Sequence, residues 1–99
     1  MLNKIIEVSG IEPRKFKEGT PDEFMKITIK DENGDKYFFY KTKKDGSESR
    51  AFNDLKTGVV KLMEKVEILY DEKKEKFTNE KGKEIEWMSR RVAMFRKPE

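Results

Sequence analysis

The residues best placed to do chemistry lie between Phe24 and Lys41, FMKITIKDENGDKYFFYK, where aromatic rings alternate with lysines. Two β-branched and aromatic runs flank Asp-Glu-Asn-Gly-Asp. Asn-Gly between such runs is a strong hairpin signal, because both central residues of a type I′ turn need positive φ. With Asn33 and Gly34 as a two-residue turn, Lys30 faces Tyr37, Ile29 faces Phe38, Thr28 faces Phe39, Ile27 faces Tyr40 and Lys26 faces Lys41. Facing residues share one side of a sheet, and the side alternates along each strand. This register predicts a core side of Met25, Ile27, Ile29, Phe38 and Tyr40. It predicts an outer side of Phe24, Lys26, Thr28, Lys30, Tyr37, Phe39 and Lys41, with Lys43 at its far end.

Rings interleaved with ammonium groups suit a polymer that is anionic along its backbone and flat at its bases, since rings stack on bases while cations meet phosphates. The same pattern fits rings that pack beneath another element or a second subunit, because aromatics favour strands in any case. A second basic stretch, Arg14-Lys15-Phe16-Lys17, sits in a segment punctuated by Pro13, Gly19 and Pro21. Phe16 there is either a stacking ring or a residue folded back onto the core.

Other chemistries are poorly served. The chain has no cysteine and no histidine, which removes disulfides, thiolate nucleophiles, zinc fingers and imidazole acid–base work. The pairs Asp22-Glu23, Asp31-Glu32 and Asp71-Glu72 read as solvated loop carboxylates, and no spacing singles out a metal-binding set. The glycines are isolated turn or cap residues rather than a phosphate loop. Neither an enzyme nor a cofactor is expected. With 43% charged residues and a net charge of +3, binding to a polyanion is permitted without being demanded. MLNKIIEVSG lacks the apolar run of a signal peptide, and no stretch is long enough to span a membrane, so a cytoplasmic location is the expectation.

The remaining elements frame this hairpin within one domain, residues 1–99, with 97–99 frayed. Lys4–Ile11 reads as a first strand with Ile6 and Val8 on one side and a bend at Gly10. Residues 12–23 read as a loop. After the hairpin comes a polar loop, TKKDGSES, whose Ser47 or Ser49 caps a short helix, RAFNDLKT, ending near Gly58. Phe52, Leu55 and Val59 recur along it at helical spacing. Val66–Tyr70 alternates as a strand with Val66, Ile68 and Tyr70 on one side. DEKKEKFTNEKGKE reads as a long charged connection with one ring, Phe77, and a turn at 79–82. A last strand covers about Ile85–Arg96. It carries Arg90 and Arg91 on opposite sides, and Trp87, the sole tryptophan, is expected at the core or a barrel end.

Through KIIEVSG, the central hairpin, RAFNDLKTGVV, KVEILY and EWMSRRVAMFR, the chain resembles the OB-fold, most of all small single-stranded-DNA-binding proteins of bacterial or phage type. The resemblance implies a mainly β fold: a five-stranded Greek-key OB barrel with one short α-helix between strands three and four. It also implies a site across the outer face of strands two and three and the flanking loops. Here that means Phe24, Lys26, Tyr37, Phe39, Lys41 and Lys43, with Arg14, Lys15 and Phe16 in one loop and Phe77 in the other. The implied partner is single-stranded DNA or RNA, in replication or recombination, with a homodimer left open. The sequence ends RKPE, without the acidic, phenylalanine-terminated tip by which bacterial members recruit other proteins, so that role is not expected.

Overall fold

The computed structural model describes residues 1–98. The fold is mainly β: β1 (Leu2–Glu7), β2 (Gly10–Phe16), β3 (Phe24–Lys30), β4 (Lys36–Tyr40), β5 (Lys65–Thr78) and β6 (Glu84–Arg96), with one helix, α1 (Arg50–Lys56), between β4 and β5. The strands form one hydrogen-bonded sheet in the order β1-β5-β6-β4-β3-β2. Neighbours run antiparallel except β4 and β6, which run parallel where Phe38 meets Arg91.

Six strands stand where five were expected, because the first breaks in two. The Val8 N–H donates to Glu64 O (3.0 Å) and the Ser9 N–H to Lys30 O (2.8 Å), so the chain leaves β5 and turns to β3 within two residues. The bend falls at Val8-Ser9, just before the glycine that suggested it. The supposed loop from Glu12 is strand as far as Phe16, paired residue for residue with β3. The charged run DEKKEKFT is likewise strand rather than connection, pairing with β6 out to Thr78 and Glu84. In both segments a cross-strand ladder satisfies backbone that composition alone assigned to loop.

The hairpin register is one residue away from the expected one. Asp31 and Asp35 close the loop through Asp31 N–H to Asp35 O (3.0 Å), leaving three residues, Glu32, Asn33 and Gly34, between them. Among the described loop residues only Gly34 has positive φ (83°), which rules out a type I′ turn at Asn33-Gly34 and matches a three-residue loop with a left-handed third position. Ile29 therefore faces Tyr37, Thr28 faces Phe38, Ile27 faces Phe39 and Lys26 faces Tyr40. One added loop residue turns every side chain of β4 over. Tyr37 and Phe39, expected outside, are each 1% exposed and belong to the core with Ile6, Val8, Ile27, Ile29, Val66, Ile68, Val92 and Phe95. Phe38 and Tyr40, expected inside, face outward.

The helix lies where the sequence placed it. The Ser49 hydroxyl accepts from the Phe52 N–H (3.2 Å), as an N-cap should. Ala51 and Asp54 make its buried face, flanked by Phe52 and Leu55. The Asp54 carboxylate is anchored by the Phe95 N–H (2.9 Å) and Arg50 Nε (3.0 Å), which pins the helix to β6. On the opposite side of the sheet order, Glu67 of β5 accepts from Asn3 Nδ2 (2.9 Å) on β1 and from Arg96 Nε (2.5 Å) on β6. Lys97 and Pro98 follow β6 without regular structure; the frayed end expected at 97–99 reaches Glu99, outside the described residues.

Two outcomes follow for stability. Phe39→Ala should cost about 3–5 kcal/mol, the usual loss for a buried phenylalanine, whereas the adjacent Phe38→Ala should cost roughly 1 kcal/mol as a cross-strand surface pair. Urea unfolding of the two variants reads the register directly, and the two-residue turn would reverse their order. The hydrogen bonds from Arg96, then Asn3, hold the Glu67 carboxyl down to about 2 from its ordinary 4.5. A carboxyl depressed on folding adds stability above its unfolded value and loses it as pH falls. Acid should therefore weaken the protein between about pH 4.5 and 2, and Glu67→Gln should flatten that limb of a pH–stability curve.

Candidate functional site

Correcting the register exchanges the rings of the outer face without abolishing it. β2 turns Arg14 and Phe16 outward, β3 turns Phe24, Lys26, Thr28 and Lys30 outward, and β4 adds Lys36, Phe38 and Tyr40. Arg91 on β6 lies opposite Phe38. Four half-buried rings run across these strands in continuous contact. Phe16 stacks on Phe24 (centroids 5.0 Å, planes 8° apart), Phe24 meets Tyr40 edge-on (5.7 Å), and Tyr40 meets Phe38 edge-on (5.6 Å).

Cations sit on these rings. Arg14 Cζ lies 5.0 Å from the Phe16 centroid, Arg91 Cζ 5.2 Å from that of Tyr40, and Lys26 Nζ 4.5 Å from that of Phe38. Among the described residues, Arg14, Lys26, Lys36 and Arg91 form no ion pair, while Lys30 is bound to Glu12 (3.3 Å). A groove lined by Phe24, Tyr40, Lys43, Lys44 and Arg91 crosses the strip. Rings with open edges beside uncommitted cations form a surface able to hold flat, anionic matter.

The expected site residues divide accordingly. Arg14, Phe16, Phe24 and Lys26 come together on the outer face, and Lys43 borders the groove. Lys15 and Lys41 lie on the other side of the β3 start, in a second groove with Phe24 and Met25. Lys41 points its ammonium toward Phe52 (5.5 Å). Tyr37 and Phe39 are lost to the core. The Tyr37 hydroxyl donates to Asp31 Oδ2 (3.2 Å). Burial, with that carboxylate alongside, pushes the phenol far above its ordinary value, so it is a structural hydrogen-bond donor and no ligand contact.

The sequence pattern missed Phe38 and Tyr40, because both alternating sets of KYFFY are aromatic and only loop length tells them apart. One local signal was available. Asp31 lies two residues before Asn33, and its Oδ1 accepts the Asn33 N–H (2.9 Å), an Asx-type turn that lengthens the loop.

Beyond Arg91 the paired ends of β5 and β6 form an arm with two unlike faces. On one face are Lys74–Glu86 (3.2 Å), Lys76–Glu84 (3.4 Å), Lys76–Glu86 (3.4 Å) and Arg90–Glu72 (3.3 Å). The other, continuous with Arg91, presents Trp87, Ile85 and Phe77, each about half exposed. Trp87 is thus a surface residue, against the expectation of a core or barrel-end position: the arm extends past the core, and no second layer covers it.

No family model, curated protein or solved structure matches this chain. No helix is long and apolar enough to cross a membrane. Among the described residues no group of three or more histidine, cysteine, aspartate or glutamate side chains is placed to hold a metal ion.

A half-exposed Trp87 should be quenched by acrylamide well above the level of a core indole, with emission to the red of one. A blue-shifted, protected emission would place it in the core.

Proposed function

We propose that this protein binds single-stranded nucleic acid, with little sequence preference along most of its site, on the outer face of β2, β3, β4 and β6. The observation that carries the reading is the ring strip Phe16–Phe24–Tyr40–Phe38 with Arg14, Arg91 and Lys26 seated on it. A cation on an exposed ring contributes roughly 0.5–1 kcal/mol, whereas a stacked base contributes about 1–3 kcal/mol. At Phe16 and Tyr40 a base therefore displaces the arginine from its ring, and the displaced cation is left beside the phosphate. The strip also stabilises the sheet when empty, which keeps the rings ordered for their ligand.

The topology supports the same reading. β1 and β2 stand at the two ends of the sheet order yet are separated in the chain by Val8 and Ser9 alone. Taken as halves of one bent strand, they join the ends of the sheet into a closed five-stranded barrel, with α1 between the third and fourth strands and β4 parallel to β6. That is the OB arrangement, whose ligands cross this face. In this reading the protein acts by holding a strand rather than by reacting with it.

Two measurements on one titration test it. Phe38→Ala with Tyr40→Ala should leave the fold intact by circular dichroism and weaken binding of a labelled dT oligomer at least tenfold, since each base lost is worth about 1–3 kcal/mol. With Arg14, Lys43 and Arg91 on phosphates, log affinity should fall against log salt with a slope of about −2. Unchanged affinity in the double variant would remove the strip from the site. A salt-insensitive self-association through the same rings would identify it instead as an interface between copies.

A further inference from the structure

Trp87 stands at the junction of the arm and the strip, and the strip itself makes no use of it. By alternation along β6 it shares the outward side of Ser89 and Arg91, and its indole is half exposed. A recess of about 200 Å³ opens beside it, lined by Trp87, Phe38, Lys26, Lys36, Thr28 and Ser89. One face of Phe38 is already taken by the Lys26 ammonium at 4.5 Å, so the open platform in the recess is the indole. Phe38 forms the wall, and the lysine head is held at its rim.

Of the polar groups lining the recess, Arg90 is tied to Glu72 (3.3 Å); the rest are uncommitted among the described residues. Neither the Thr28 nor the Ser89 hydroxyl hydrogen-bonds to a described residue, and neither Lys26 nor Lys36 is in an ion pair among them. On the arm's opposite face Lys74 and Lys76 are tied to Glu86 and Glu84, and on the Trp87 face Lys73 is paired with Glu75 (3.8 Å). The uncommitted cations of the recess are therefore those of the strip, Lys26 and Lys36, rather than lysines of the arm.

We infer that this recess is a subsite for a single pyrimidine bearing a keto oxygen at C4, stacked on Trp87. The inference rests on the single-strand reading above and adds selectivity at one position. An ammonium group has donors and no acceptor. It favours the O4 of uracil or thymine and disfavours the N4 amine of cytosine, which presents donors at the same place. The hydroxyls of Thr28 and Ser89 can give or take a hydrogen bond and so complete whichever ring nitrogen the base presents.

Trp87 is the sole tryptophan, so its emission reports this subsite alone. The experiment titrates the full chain with dU12 and dC12, which differ at the C4 substituent and in the hydrogen on N3, following tryptophan emission and the polarisation of a labelled probe together. The subsite predicts quenching of Trp87 that saturates with the polarisation signal. It predicts tighter binding of dU12 than dC12 by about 2- to 12-fold, the range of one hydrogen bond's net worth. Lys26→Met should erase that difference, and Trp87→Ala should weaken dU12 binding by about 5- to 150-fold, the worth of one stacked base. A parallel rU12 titration distinguishes the sources of the keto base, and quenching by either sugar supports the subsite. Binding seen by polarisation with unchanged Trp87 emission overturns the subsite and leaves the strip standing. Equal affinity for dU12 and dC12 overturns the keto preference. Failure of every oligomer to bind at low salt overturns the single-strand reading itself.

Discussion

Asp31 is a carboxylate 1% exposed to solvent, and an unsatisfied charge at that depth would cost far more than the fold can spare. Its position is tenable because donors converge on it: the Asn33 and Asp35 amides at 2.9 Å on Oδ1 and the Tyr37 hydroxyl at 3.2 Å on Oδ2. Its backbone carbonyl accepts from Ser9 Oγ (2.7 Å) and from the Gly34 N–H (3.1 Å). One residue thus holds the hairpin loop at three residues, draws Tyr37 into the core and ties the loop to the break between β1 and β2. Loop length sets the register, and the register decides which rings face outward.

That decision falls on a pentapeptide able to serve either way. In KYFFY, Tyr37 and Phe39 pack inward, Tyr37 against Tyr70 (5.3 Å) and Phe39 against Phe95 (5.5 Å), both edge-on. Phe38 and Tyr40 lie outward in the strip. The inner pair knits β4 to β5 and β6; the outer pair extends the surface begun by Phe16 and Phe24. Core and candidate site are thereby built from alternate residues of one five-residue strand.

The arm applies the same alternation to charge. Its 14-residue β5, at about 3.3 Å per residue, accounts for most of the 48 Å long axis. With no core beneath it, the arm is held by its backbone ladder and by lysine–glutamate pairs, most of them on one side. Exposed pairs of this kind are worth little singly. One face is charge-paired along most of its length, and the other carries Phe77, Ile85 and Trp87 beside the single pair Lys73–Glu75. The surface available to a ligand then runs from Phe16 across the sheet toward the arm.

Much of this was legible in the chain itself. Alternation placed Ile6, Val8, Ile27, Ile29, Val66, Ile68 and Tyr70 on the core side, where all are buried. Ser47 or Ser49 and Gly58 bracketed the helix, with Ser49 the cap in the structure, and the half of the outer face borne by β3 was read correctly. These features are local, set by period-two patterning and capping chemistry within a few residues. What the chain could not reveal was non-local. Asn-Gly permits both a two-residue and a three-residue loop, and with rings in both registers of β4 the hydrophobic pattern could not choose between them. Asp31 chose, through partners as distant as Ser9. The arm was hidden for the same reason: DEKKEKFT has the composition of a loop, and only pairing with β6 supplies the hydrogen bonds that make it a strand.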